Sequence, residues 1–275
     1  DAGNGMGGYT APAVFQRLNA EVIEMYFELD GTFPNHEANP IEPSNLVDLQ
    51  KAVKKHKADI GLAFDGDADR CFLVDEKGAL VNPSALTALI ATRELAKNPG
   101  ASIIYNLISS RAVKEVVEES GGTAIRSRVG HSYIKKLMAE TNAVFGGEHS
   151  GHFYFRDFWR ADSGMLAALH AIAALGESKK SLSELLKTFN RYHSSGEINS
   201  TVKDAASAMK KIEEIYGSGD GVEVDHLDGL TVSHADWWFN LRASNTEPLL
   251  RLNVEASAKS RMESVRDDVL NTIRS

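Results

Sequence analysis

Apolar positions along the chain switch repeatedly between helical and alternating spacing, which predicts a succession of helices and strands. Residues 13–20 read as a helix and residues 22–29 as an apolar run of strand type. A loop holding Pro34, Pro40 and Pro43 follows, then a helix over 44–56 with Ser44 as its N-cap. Bulky residues alternate over 60–64, and 71–74 reads as a second short strand.

A new unit opens near Leu80. It reads as a helix over 84–96, a turn at Asn98-Pro99-Gly100, a strand over 102–106 and a helix over 111–119 broken by Gly121-Gly122. Ile134, Leu137 and Met138 mark a helix after Gly130. Residues 143–145 read as a strand and 163–175 as an apolar helix. After the polar stretch 191–196 the pattern becomes strand, helix (205–216), strands near Val222 and over 230–232, 237–243 and 249–255, and a final helix. Trp237 and Trp238 read as packing residues. The fold class is α/β: two mixed α/β domains (1–79 and 80–192) followed by a C-terminal α+β domain (193–275).

Composition narrows the function. With 275 residues, 43% hydrophobic and 25% charged, the chain is an ordinary globular one of more than one domain. A net charge of −8 argues against nucleic acid or an anionic membrane as partner. The single cysteine, Cys71, allows no internal disulfide and suits a reducing, cytoplasmic setting. No apolar run reaches the roughly 18–20 residues a membrane span needs. The chain opens at Asp1-Ala2-Gly3 with no Met and no strand ahead of its Gly-rich turn, which reads as a start inside a domain.

Asp65-Gly66-Asp67-Ala68-Asp69-Arg70 carries the most chemistry. Carboxylates at Asp65, Asp67 and Asp69 in a glycine-containing loop can converge on one hard cation; spread over a surface they would only repel. An EF-hand would use Glu76 at its twelfth position, but its sixth position is Arg70 rather than Gly, and strands flank the loop. Arg70 beside the metal ligands makes sense where a phosphate is bound by both. Gly3 to Gly8 fits G-x-G-x-x-G, yet without a preceding strand a tight turn into a helix is the better reading.

The loop Gly146-Gly147-Glu148-His149-Ser150-Gly151-His152 suits close approach to a polar ligand. Glu148 and Ser150 are candidates for sugar hydroxyls and His152 for a proton shuttle. A metal site of Glu148, His149 and His152 is the weaker alternative. His131, opening a helix after Gly130, is a second proton-transfer candidate. Arg242-Ala243-Ser244-Asn245-Thr246-Glu247-Pro248 offers side chains and turn amides for a phosphate clamp; the plain alternative is a surface turn closed by Pro248.

In this order, and with Phe33-Pro34-Asn35-His36-Glu37 as a further loop, these segments resemble the α-D-phosphohexomutase family along essentially the whole chain. The Ser-Asn-Thr form of the last loop resembles its phosphomannomutase/phosphoglucomutase branch. The resemblance implies a remnant of a four-domain enzyme that interconverts hexose 6-phosphate and hexose 1-phosphate (mannose, glucose or both) through a phosphoserine and a hexose 1,6-bisphosphate intermediate. It implies Mg²⁺ on Asp65, Asp67 and Asp69, and Arg70 at the phosphoryl group. Glu148 and Ser150 would hold the sugar, Arg242, Ser244, Asn245 and Thr246 the other phosphate, and His131 or His152 the proton. Two departures stand out. No serine lies in the family's Thr-Ala-Ser-His-Asn-Pro context, so the first domain and its phosphoserine are expected to be missing and the chain inactive alone. Ile108 occupies a place where relatives often have Lys, leaving transition-state charge to Arg70, the metal and Arg111. Were the first domain absent from the gene, a non-catalytic sugar-phosphate-binding protein would be the alternative; a calcium-binding module is a weaker third.

Overall fold

The computed structural model describes residues 1–202, 204–244 and 248–274. They divide into two compact units: Asp1–Arg126 with Gly130–Asn190, and Ser127–Val129 with Arg191 onward.

In the first unit, helix α1 spans Gly7–Phe15 with Pro12 inside it. It begins and ends earlier than the expected 13–20. The expected strand over 22–29 is absent as a regular strand. Its backbone instead pairs with the opening turn (Ala2 N to Met25 O 3.0 Å, Asn4 N to Tyr26 O 2.8 Å), and the left-handed Tyr26 (φ 54°) turns the chain out of strand geometry. The next helix starts as a 3₁₀ turn, Pro43–Leu46, and continues as α2, Val47–His56. Ser44 is not its N-cap: it lies inside the turn that Pro43 opens, and Glu42 takes the cap position.

Strands β1 (Ile60–Phe64) and β2 (Cys71–Asp75) form an antiparallel hairpin. Asp1 adds to the other edge of β1 through Phe64 N to Asp1 O at 3.0 Å. Helix α3 (Pro83–Lys97) follows, capped by Asn82. Next come β3 (Ser102–Asn106), α4 (Arg111–Glu119), β4 (Thr123–Ser127), α5 (His131–Thr141) and β5 (Phe145–Gly147). The unit ends with β6 (Phe153–Phe155), β7 (Ala161–Asp162), α6 (Gly164–Glu177) and α7 (Leu182–Leu186). The sheet order is β4-β3-β5-β6-β7, with β3 and β5 parallel and β6 and β7 added antiparallel. Phe64, Leu73, Leu86, Ile90, Phe145, Phe153 and Ala171 share one core, which binds the hairpin to α3, α6 and the sheet.

The second unit is an antiparallel sheet in the order β8-β12-β11-β10-β9. Its elements are β8 (His193–Thr201), α8 (Ala205–Tyr216), β9 (Glu223–Asp225), β10 (Leu230–Ser233), β11 (Trp237–Ala243), β12 (Leu249–Ala256) and α9 (Lys259–Arg274). Phe239, Leu241, Leu252 and Val254 meet Val265, Val269 and Ile212 in its core. Trp237 stacks on Phe239, and Trp238 donates to Glu255 at 2.8 Å, so both tryptophans pack as expected. Alternating α/β structure followed by α+β matches the expected fold class. Among the described residues no helix is long and apolar enough to cross a membrane.

Candidate active site

The acidic hexapeptide is the turn from β1 to β2. Ala68 adopts a left-handed conformation (φ 64°) and its N–H bonds to Asp65 O at 3.1 Å, which folds the turn back on itself. Asp65, Asp67 and Asp69 thereby bring carboxylate oxygens within 4.8 Å of one another. Asp65 is 3% exposed and accepts from Arg70 twice, from its backbone N–H at 3.0 Å and from Nε at 2.5 Å. Asp69 Oδ1 is buried and makes no hydrogen bond among the described residues. Desolvation pushes the Asp69 carboxyl up to about 6; Asp65, Asp67 and Asp162 add to the shift and His152 opposes it. Three crowded carboxylates with an uncompensated buried oxygen fit a hard divalent cation.

The Gly-rich opening turn supports this loop. Met6 N–H bonds to Gly66 O at 2.9 Å, and a Cβ at Gly5 would stand 2.6 Å from the same oxygen. The tight turn into a helix expected there is what forms, with α1 starting at Gly7. Glu76, the would-be twelfth EF-hand ligand, accepts instead from Ser183 Oγ (2.6 Å) and Ser183 N (3.0 Å), which hold it down at about 2 against the cost of burial.

The histidine loop joins β5 to β6 and lies against the acidic loop. Arg70 and His152 form an antiparallel bridge, and Cys71 N–H bonds to Gly151 O at 3.2 Å. Glycine is required at Gly151: φ is 86° and a Cβ would strike the Phe72 ring. Glu148 is 2% exposed; it accepts from Tyr154 Oη (2.7 Å), Gly130 N (3.0 Å) and, at 3.4 Å, Asn106 Nδ2. These bonds fasten Gly130, and with it His131 at the start of α5, to the loop. Ser150 is partly exposed. His149 Nδ1 lies 3.4 Å from Ser84 Oγ, and burial lowers its pKa. Ile108 is buried, and Arg111 opens α4.

His152 has two carboxylates at Nδ1: Asp162 at 2.9 Å and Asp69 at 3.5 Å. Burial works against its charged form, but the Asp162 hydrogen bond and the charges of Asp69 and Glu148 raise its pKa. Burial likewise opposes ionisation of Asp162, yet bonds from His152 and from Lys135 (2.9 Å) hold that carboxyl below the usual range. Asp69, His152 and Asp162 form a second cluster with metal-ligand spacing, and among the described residues neither cluster includes Glu148 or His149. The sequence reading missed Asp162 and Lys135; each lies on an element whose pattern carries no chemical signature.

A groove of about 860 Å³ lined by Phe15, Val22, Leu49, Leu62 and Ile172 contains none of these residues.

In the second unit Arg242 lies on β11, 3.6 Å from Glu197 and 4.0 Å from Asp228, and its Nε is buried without a hydrogen bond among the described residues. Arg251 pairs with it across the strands and also meets Glu197, at 3.3 Å. Ser244 N–H bonds to Leu249 O at 2.9 Å, closing the base of the loop. Asn245 and Thr246 lie outside the described residues. Arg251 was also missed: the sequence gives no register, and only strand pairing sets it opposite Arg242.

Three family models match in order, each described as phosphoglucomutase/phosphomannomutase: alpha/beta/alpha domain II over residues 1–78, alpha/beta/alpha domain III over 82–192 and the C-terminal domain over 197–272. A phosphomannomutase of Salmonella typhimurium is 44% identical over 93% of this chain and 57% of its own length. A phosphoglucomutase of Neisseria meningitidis is 37% identical over 100% of this chain and 60% of its own. The chain therefore spans 57% and 60% of the length of these two relatives. The crystal structure of a phosphoglucomutase/phosphomannomutase family protein from Burkholderia thailandensis superposes with a TM-score of 0.89 at 34% identity, covering 100% of this chain and 59% of that one. Matched in this order over nearly its whole length, the chain belongs to the phosphoglucomutase/phosphomannomutase family.

Proposed function

We propose that this chain is the metal-, sugar- and phosphate-binding part of an enzyme that interconverts hexose 6-phosphate and hexose 1-phosphate through a hexose 1,6-bisphosphate. One observation carries the reading: the three-carboxylate loop and the histidine loop meet backbone to backbone at Arg70 and His152. In this reading the junction would set the cation-binding carboxylates beside the proton-transfer histidine. Relatives named as mutases at 37–44% identity favour an enzyme over a non-catalytic binding protein.

Asp65, Asp67 and Asp69 would hold Mg²⁺, which when bound neutralises charge on the transferring phosphoryl group. Arg70, fixed by Asp65, would steady that group. Ser150 and Glu148 would orient the sugar; Glu148 Oε2 accepts from Tyr154 and keeps a lone pair for a hydroxyl. Arg242 and Ser244, with Asn245 and Thr246, would grip the remote phosphate. The proton of the attacking hydroxyl would pass to His152, with His131 as the other candidate. The donor in this reading is a phosphoserine outside the chain, since no serine here has the family context. We read three domains, 1–79, 80–192 and 193–275. The location reads as cytoplasmic, in keeping with a lone buried Cys71 whose thiol burial pushes up to about 12.

The test is an assay of the protein that carries this chain, supplied in turn with glucose 1-phosphate and mannose 1-phosphate. Formation of 6-phosphate that stops when EDTA removes Mg²⁺ is expected, with KM raised about tenfold or more in Arg242→Ala. No turnover of either sugar with Mg²⁺ present would overturn the proposal.

A further inference from the structure

Three side chains, one each from α5, β6 and β7, close a ring with the histidine beside the acidic loop. Asp162, on the two-residue strand β7, pairs directly with Tyr154 on β6. One oxygen of Asp162 faces His152 Nδ1 at 2.9 Å, and the other faces Lys135 Nζ, from α5, also at 2.9 Å. Lys135 Nζ lies 5.7 Å from the centroid of the Tyr154 ring, and that ring stacks against His152 at 6.2 Å. Tyr154 in turn donates to Glu148 at 2.7 Å. Each member is thus held from two sides.

We propose that Asp162, clamped by Lys135, is the positioning residue that fixes His152 as its Nδ1–H tautomer and presents Nε2 as the atom that exchanges the proton. The role of that proton rests on the phosphohexomutase reading; the tautomer does not.

Geometry distinguishes Asp162 from the other carboxylate at the ring. Asp69 stands 3.5 Å from Nδ1, too far for a good hydrogen bond, and its side chain is 34% exposed against 10% for Asp162. Asp69 also belongs to the three-carboxylate cluster, where a cation would claim its oxygens. Asp162 lies outside that three-carboxylate cluster, and Lys135 meets its second oxygen, so the oxygen facing His152 is placed to accept from Nδ1–H. In water neutral imidazole carries its proton mainly on Nε2; a fixed carboxylate at Nδ1 reverses that preference and sets which nitrogen is basic. Strand β7 has two residues, one of which is Asp162. Its pairing with β6 gives the carboxylate a defined position where a loop would leave it variable.

The test reads the tautomer on the 275-residue chain itself. The chain is labelled with ¹⁵N-histidine and studied by NMR at a pH well above the usual imidazole range, with His152 assigned by the signal that His152→Gln removes. A pyrrole-type Nδ1 and a pyridine-type Nε2 are expected in the wild type, and the reverse in Asp162→Ala. A wild-type His152 protonated on Nε2 would overturn the proposal whether or not any variant folds. So would an Nδ1–H tautomer that survives in folded Asp162→Ala. In the protein that carries this chain, Asp162→Ala should lower kcat about 100-fold with KM within about twofold; an unchanged kcat would likewise overturn it. If the wild type has no mutase activity, the functional reading fails while the NMR result still decides the tautomer.

Discussion

Arg70 and His152 face each other across an antiparallel β-bridge, so the loop that gathers three carboxylates and the loop that carries the histidine are joined backbone to backbone. The adjacent bond from Cys71 N to Gly151 O extends the seam. Both loops spring from strands anchored in a single core. Their relative geometry is therefore set by folding, as preorganised electrostatic catalysis requires.

Gly164, the first residue of α6, lies against this seam from behind. A Cβ there would run into the Arg70 carbonyl and stand 3.0 Å from the Ala68 carbonyl. Gly164→Ala must shift the acidic loop or the helix, at about 1–3 kcal/mol. Affinity for Mn²⁺, followed by water-proton relaxation, should fall about tenfold or more. An alanine variant with unchanged affinity and stability would show that the contact yields without consequence.

Glu148 acts as an internal strut as well as a candidate ligand. Glu148→Ala strands the Tyr154 hydroxyl and the Gly130 N–H, each costing about 1–3 kcal/mol, whereas Tyr154→Phe removes a single bond worth about 1.5–3 kcal/mol. Urea unfolding should place Glu148→Ala clearly below Tyr154→Phe. Equal stabilities would mean that the bonds to Gly130 and Asn106 add nothing beyond the Tyr154 bond.

His170 sets an acid limit on stability. Burial lowers its pKa to about 4, with Glu94 opposing and Lys97 and Arg93 assisting, and its side chain is 12% exposed. The unfolded chain, titrating near 6.5, takes up the proton first. The contribution is therefore complete above about pH 6.5 and lost as pH falls toward 4, by about 3 kcal/mol in all. Asp69 runs the other way over part of this window: its raised pKa favours the folded state as pH drops through about 6. The reading is thus the difference between wild type and His170→Gln in urea midpoints, which should shrink from neutral pH to pH 4. A constant difference would exclude His170 as the titrating group.

The acidic hexapeptide was legible because its chemistry lies in consecutive residues, where spacing alone implies convergence. The helix Arg111–Glu119 was legible because one face of it is buried, so its periodicity survives in the letters. The hairpin strands were legible because bulky residues alternate over 60–64, even though both faces meet apolar clusters. Phe153-Tyr154-Phe155 left no alternation to read, since all three side chains are buried. Residues 22–29 looked like a strand because nothing in apolar spacing reports the left-handed turn at Tyr26. Asp162 and Lys135 were invisible for a different reason: their meeting depends on the register of a two-residue strand and the packing of a distant helix, neither of which leaves a local pattern.

The central claim is that one cation, held by Asp65, Asp67 and Asp69, sits beside His152. Substoichiometric Mn²⁺, added to the chain labelled with ¹⁵N-histidine, reads this distance directly, because paramagnetic broadening falls steeply with separation. The His152 signals should disappear first, well ahead of those of His56, and Asp67→Asn should abolish the effect. Broadening centred on another histidine, or undiminished in Asp67→Asn, would contradict the account.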